Sequence, residues 1–142
     1  MKRMKGITDL IGRIFLAVIF LYDAYDNLAF SSETKKKMIE YGLTWQTDFL
    51  FNTASIILVL GGILVLIGYR ASFGALLLLC YYLPLTLIVH SFWNDPISIQ
   101  RVQAELFMKN ISICGGLLIV LVNGSGPISV KRLFATSRVP GA

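Results

Sequence analysis

The sequence has few of the residues that form most metal and cofactor sites. Its 142 residues include one histidine and two cysteines. A single histidine excludes a haem held between two histidines, and Cys80 and Cys114 form no CxxC or CxxCH motif. The sequence also contains no GxGxxG motif and no P-loop. We therefore expect no metal site and no cofactor bound covalently or by a motif.

Charged residues are also scarce, and the apolar stretches are long. The chain is 15% charged and 56% hydrophobic, whereas a typical soluble domain is about 25% charged. The segment Phe49–Ile67 contains no charged residue. As a helix rising about 1.5 Å per residue it would be about 28 Å long, close to the ~30 Å hydrocarbon core of a bilayer. The sequence therefore predicts an integral membrane protein.

Four apolar stretches predict an all-α fold, a four-helix transmembrane bundle formed by a single domain over residues 1–142. Helices are the expected spanning form, because a helix satisfies its own backbone hydrogen bonds where water is absent. They are predicted at about residues 8–30, 47–67, 71–93 and 104–123, followed by a basic, partly disordered tail at 124–142. A short helix is predicted at Thr34–Tyr41, where Gly42 would end it. Close helix contacts are expected at Gly61-Gly62 and Gly115-Gly116.

The distribution of basic residues predicts the orientation in the membrane. With four spans, the side that holds both termini has eight Lys and Arg residues and the other side has five. The positive-inside rule then favours cytoplasmic termini (N-in/C-in) in the inner membrane, although the run Lys35–Lys37 opposes it. The net charge of +5 is explained by topology and anionic lipid headgroups, so no nucleic-acid partner is expected. The apolar run passes into Tyr22 without a signal-peptide cleavage site, which favours a retained first helix.

Polar residues collect toward one end of three predicted helices. Asp23 and Asp26 are three residues apart and share a helix face. We expect them to lie opposite Lys109, which is also spaced to pair with Glu105. Because the helix directions alternate, the whole set falls at one membrane face. The candidate ligand-binding residues in this set are Asp23, Asp26, His90, Trp93, Glu105, Lys109 and Asn110.

Three interpretations of this set remain open. The residues can mark the water interface, with Trp93 and the tyrosines as an aromatic belt. They can form a structural polar network, because charges within a membrane usually pair. They can also form a ligand site for a quinone headgroup or another small molecule. In that case His90, Lys109, Asn110 or a tyrosine would donate to carbonyl oxygens, and His and Asp side chains would relay protons.

Several short motifs, taken in order, resemble the DoxX family of small four-helix membrane proteins. Each motif is weak alone, but together they cover about residues 8–134 of the chain. The motifs are Gly12-Arg13, Leu60-Gly61-Gly62, Gly68-Tyr69-Arg70-Ala71, His90-Ser91-Phe92-Trp93, Phe107-Met108-Lys109-Asn110 and Gly115-Gly116-Leu117-Leu118.

The resemblance implies a protein of the prokaryotic cytoplasmic membrane with a connection to quinone or redox chemistry. The leading expectation is a cofactor-free membrane subunit that associates with quinone or with a redox partner protein. The first alternative is a structural or assembly subunit of a larger membrane complex, without a ligand of its own. The second is a protein that handles lipids or other small molecules in a cavity between its helices.

Overall fold

The computed structural model describes residues 2–136 of the chain, and 85% of it is helical. No strand occurs among the described residues, so the predicted all-α fold is confirmed. A 3₁₀ turn at Phe92–Asn94 separates the fourth helix from the fifth. The helices are α1 (Lys2–Ala29), α2 (Ser31–Glu40), α3 (Thr47–Ile67), α4 (Ala71–Val89), α5 (Ile97–Asn123) and α6 (Val130–Thr136).

Three of these helices are long and apolar enough to cross a membrane. They are α3, α4 together with the turn that follows it (Ala71–Asn94), and α5. The first helix is long enough, but Arg13, Asp23 and Asp26 interrupt its apolar sequence. The predicted count of four spans is therefore not confirmed and stays a prediction.

Glycine allows α3 and α4 to pack closely after a tight turn. Gly68 ends α3 in the left-handed region, with φ of 69°. A methyl group on Gly61 would lie 2.7 Å from Leu78 Cγ, and one on Gly74 would lie 2.9 Å from the Gly61 carbonyl oxygen. Only residues without a side chain fit such contacts. The predicted close contacts are thus confirmed at Gly61 and Gly62 and also at Gly116, where a methyl group would lie 3.1 Å from Leu16 Cδ2, whereas Gly115 has no atom within 4 Å of the position a methyl group would take.

A buried arginine joins three segments at the end of the bundle where the chain termini lie. Arg13 is 1% exposed, and its Nε donates to Asp9 at 3.0 Å. Its two Nη atoms donate to the carbonyl oxygens of Val65 and Ile128. These carbonyls belong to the last turn of α3 and to the segment before α6. Arg13 therefore fixes α1, α3 and the C-terminal segment together.

The boundaries of several helices differ from the prediction, and α4, predicted to end near residue 93, ends at Val89. Helix α5 begins at Ile97, directly after Pro96, instead of near residue 104. The residues after Pro96 include polar ones that lie outside the apolar stretch, but glutamine and arginine are good helix formers, so the helix extends beyond its apolar part. Part of the predicted tail, Val130–Thr136, is helix α6. The rest of the tail, residues 137–142, lies outside the described residues.

Other predicted boundaries agree more closely. The predicted helix at 47–67 matches α3. Helix α2 begins slightly earlier than predicted and is followed by Gly42 with φ of 82°. Helix α1 begins at Lys2 instead of near residue 8, because the basic residues before the apolar stretch are also helix formers. Cys80 and Cys114 are both free thiols.

Candidate functional site

A cavity of about 580 Å³ lies between α1, α2, α3 and α4, and α5 contributes to its wall. It lies at the end of the bundle where α1 and α4 end and where α3 and α5 begin. Most of its wall is apolar, contributed by side chains such as Ile57 and Leu85. Four of the seven residues predicted from the sequence line it, namely Asp23, Asp26, His90 and Asn110.

Helix α1 contributes an acidic edge to this cavity. Asp23 and Asp26 are three residues apart in the last turns of α1, so both reach the same side of the helix, as expected. Asp23 is half-buried and Asp26 is exposed. Neither carboxylate has a cationic group within ion-pair distance among the described side chains. The pair is therefore available to a ligand or to water.

Helices α4 and α5 contribute a hydrogen-bonded pair. The hydroxyl of Tyr82 donates to Asn110 Oδ1 at 3.0 Å, and both residues are buried. The Tyr82 ring also meets Phe20 of α1 edge to face, with 5.1 Å between ring centroids. This contact keeps Tyr82 in place between two helices. The hydrogen bond keeps Asn110 facing the cavity from α5.

The histidine lies at the end of α4, where the helix gives way to the loop. His90 is half-buried, and its Nδ1 is 2.8 Å from Gln103 Oε1 on α5. A glutamine oxygen accepts hydrogen bonds, so this contact places the ring proton on Nδ1. In the neutral ring, Nε2 is then an acceptor.

Helix α2 covers part of the cavity from the loop side. Thr34, Lys37 and Met38 line the cavity from this helix, yet α2 contains no fully buried residue. Lys35 is its main attachment to α3. Its Nζ lies 2.6 Å from Asp48 Oδ1 and 5.0 Å from the centre of the Phe51 ring.

Three predicted site residues lie outside the cavity. Trp93 packs instead with Phe92 and Phe107, at centroid distances of 5.3 Å and 5.9 Å. Lys109 pairs with Glu105 at 2.7 Å on an exposed face of α5. The predicted pairing between these two residues is therefore confirmed.

The predicted network that set Asp23 and Asp26 opposite Lys109 is wrong. The side chain of Lys109 is 63% exposed and its nitrogen is held by Glu105. A glutamate one turn away on the same helix reaches the lysine without any help from tertiary packing. Trp93, Glu105 and Lys109 thus fit the interface interpretation, and the other four residues fit a cavity.

Sequence reasoning missed Tyr82 and the residues of α2. Tyr82 lies within an apolar run, so nothing in the local sequence distinguished it from a lipid-facing tyrosine. A signal was present in Asn110, because a buried amide on a spanning helix needs a partner. The part played by α2 depends on how the loop folds back, which a short polar segment does not reveal.

This arrangement suits an amphipathic ligand of moderate size. Its volume lies in the range of about 300–1,000 Å³ that is typical of small-molecule sites. The wall offers apolar surface for a tail and a few polar groups for a headgroup. No group of three His, Cys, Asp or Glu side chains meets as metal ligands would within the described part of the chain.

Comparisons with known proteins relate the chain to bacterial inner-membrane proteins. A sequence model of the DoxX family matches residues 8–91. The chain is 25% identical over 134 residues to inner membrane protein YqjF of Escherichia coli, covering 94% of this chain and 97% of that protein. It is 28% identical over 135 residues to inner membrane protein YphA of the same organism, covering 90% and 91% respectively. No solved structure gives a significant match.

Proposed function

This chain belongs to the DoxX family of membrane proteins, and on that premise we propose that it binds a small amphipathic molecule of the quinone type. The binding site is the cavity between α1, α2, α3 and α4. In this proposal the protein is a cofactor-free membrane subunit of a quinone-linked system. A partner protein would carry the redox cofactor.

One observation carries the proposal. Asp23, Asp26, His90 and Asn110 come from three separate segments of the chain and line one cavity whose remaining wall is mostly apolar. A quinone needs both polar groups and an apolar wall, because its ring oxygens accept hydrogen bonds while its tail needs an apolar surface. Reduction also requires protons, which carboxylates and a histidine near the ring can supply.

The proposal includes α1 as a fourth membrane span. The charged groups within its apolar stretch face the protein, because Arg13 is buried against backbone carbonyls and Asp23 and Asp26 line the cavity. Charged groups in a membrane segment are tolerated when they face the protein interior. Large apolar side chains such as Phe15, which is 73% exposed, cover the outer face of α1. With four spans, the positive-inside rule supports cytoplasmic termini.

Binding of a quinone probe to the purified protein tests the proposal. Decylubiquinone should raise the melting temperature of the protein in mild detergent, because a ligand that binds only the folded state stabilises it. Asp23→Asn replaces a carboxylate, which only accepts hydrogen bonds, by an amide that can donate one to a quinone oxygen. We expect it to tighten the binding of the probe by roughly fivefold, the gain of about one hydrogen bond.

Lys109→Gln is the matched control. It also removes an ionisable group from the set predicted by sequence, but Lys109 lies outside the cavity and pairs with Glu105. The control should bind the probe as tightly as the wild type does. Wild-type protein that shows no stabilisation by decylubiquinone would contradict the proposal, as would equal affinities for the probe in Lys109→Gln and Asp23→Asn.

A further inference from the structure

The side-chain amide of Asn110 uses its oxygen for a contact within the protein, whereas its nitrogen has no such contact. Asn110 is 9% exposed, and its Oδ1 accepts a hydrogen bond from the Tyr82 hydroxyl. The oxygen and nitrogen of an amide lie on opposite sides of one planar group, so holding the oxygen also fixes the direction of the nitrogen. The amide has two N–H donors on Nδ2. Neither donor has a partner among the described side chains and backbone.

The free donors of Asn110 face the cavity. No fully enclosed side-chain nitrogen or oxygen in the described region lacks a hydrogen-bond partner. The unpartnered Nδ2 is therefore accessible, and the accessible space beside Asn110 is the cavity that it lines. The donors of Nδ2 therefore need an acceptor from outside the protein. An acceptor atom on a ligand would satisfy them.

Two other donors that the sequence suggested are already engaged. His90 Nδ1 contacts Gln103, and Lys109 pairs with Glu105. The nearby carboxylates of Asp23 and Asp26 line the same cavity and form no ion pair among the described residues, so they outnumber the one lysine of the wall, Lys37. They disfavour an anionic headgroup, because like charges placed together repel each other. An acceptor that suits this cavity is therefore an uncharged oxygen.

We propose that Asn110 is the specificity-determining residue of the cavity, that it recognises an uncharged carbonyl oxygen, and that Tyr82 positions its amide. This inference rests on the proposed function and assigns the ligand's carbonyl to one donor. Tyr82 acts only through Asn110, so removing its hydroxyl releases the amide to rotate. The apolar part of the ligand is recognised independently of this pair.

Three probes with similar tails separate carbonyl recognition from apolar binding. They are decyl-benzoquinone, decylbenzene without oxygen, and dodecanoate with a charged carboxylate. Affinities are obtained from the ligand-dependent rise in melting temperature of the full chain in detergent. The wild type should bind decyl-benzoquinone about tenfold more tightly than decylbenzene, which is about 1.4 kcal/mol. Dodecanoate should bind no better than decylbenzene.

Asn110→Leu should abolish the preference for the quinone over decylbenzene without changing the affinity for decylbenzene. Tyr82→Phe should reduce the preference about threefold, and it should have no further effect when Asn110 is already leucine. The double variant also removes both partners of the hydrogen bond, so it leaves no orphaned group and is expected to fold if the single variant does not.

Retention of the wild-type preference in Asn110→Leu or in the double variant would overturn the inference. So would an additive effect of Tyr82→Phe in the leucine background. These failures are distinct from failure of the proposed function. If the wild type binds the quinone probe and Asn110→Leu keeps its preference, only the role of Asn110 is refuted. If the wild type binds no quinone, the proposed function itself is refuted.

Discussion

Arg13 Nη1 donates a hydrogen bond to the backbone carbonyl oxygen of Val65 at 3.2 Å, although the residues are 52 positions apart in the chain. The carbonyls in the last turn of a helix have no partner within the helix. A cation at that end also interacts favourably with the helix dipole. Arg13 provides both effects for α3. Its contact with Asp9 places a compensating charge beside the buried guanidinium.

Replacing Arg13 should therefore destabilise the whole bundle. Arg13→Gln is expected to lower the free energy of unfolding in detergent by about 2 kcal/mol, because several hydrogen bonds from a charged group are lost. Lys5→Gln removes a positive charge from an exposed position of the same helix and should change stability by less than about 0.5 kcal/mol. Chemical denaturation followed by circular dichroism measures both. Equal stability of the two variants would contradict this role for Arg13.

The attachment of α2 through Lys35 should affect local motion more than global stability. The contact with Asp48 is largely solvent-exposed, with Asp48 81% exposed, so it contributes about 1 kcal/mol or less. Lys35→Gln should leave the melting temperature nearly unchanged but speed amide hydrogen exchange in α2 by roughly threefold to fivefold.

Lys36→Gln provides the comparison for that experiment. Lys36 is its exposed neighbour and forms no ion pair among the described residues. Exchange in α2 should match the wild type in this variant. If both substitutions speed exchange equally, the effect comes from the charge of the loop and not from the contact with α3.

The number of membrane spans can be determined by the positions of the two termini. If α1 crosses the membrane as the fourth span, reporters fused before Met1 and after Ala142 will lie on the same side. The positive-inside rule predicts the cytoplasm for both. Alkaline phosphatase and green fluorescent protein fusions give opposite readouts on the two sides. Termini on opposite sides would exclude an even number of spans, and two periplasmic termini would refute the predicted orientation.

Much of the fold could be predicted from sequence because lipid imposes strong rules. Apolar length predicted α3 closely, and glycine predicted the turn at Gly68. The predicted start of α5 was wrong, because the polarity of the sequence indicates where the membrane ends, whereas a helix ends where its backbone hydrogen bonding ends. The charges of α1 show a related limit. Sequence alone does not tell whether Arg13 faces lipid, water or backbone carbonyls.

The candidate site was predictable only in part. Spacing along one helix correctly placed Asp23 with Asp26, and Glu105 with Lys109. Helix direction correctly indicated which end of the bundle these residues occupy. The rotation of each helix was not predictable, and rotation decides that Asn110 faces the cavity while Lys109, its neighbour in sequence, does not.

The most direct test of the account is whether filling the cavity removes a small molecule that co-purifies with the protein. Ala54 lines the cavity from α3, and Ile56 on the same helix is 64% exposed on the outer surface. Ala54→Phe occupies the cavity without altering a polar group, and Ile56→Phe adds an aromatic ring outside it. Solvent extraction and mass spectrometry of proteins purified from membranes in mild detergent measure the bound molecule per chain. The proposed function predicts a quinone-type molecule in the wild type and in Ile56→Phe, and its loss in Ala54→Phe. An equal amount in Ala54→Phe, or none in the wild type, would contradict it.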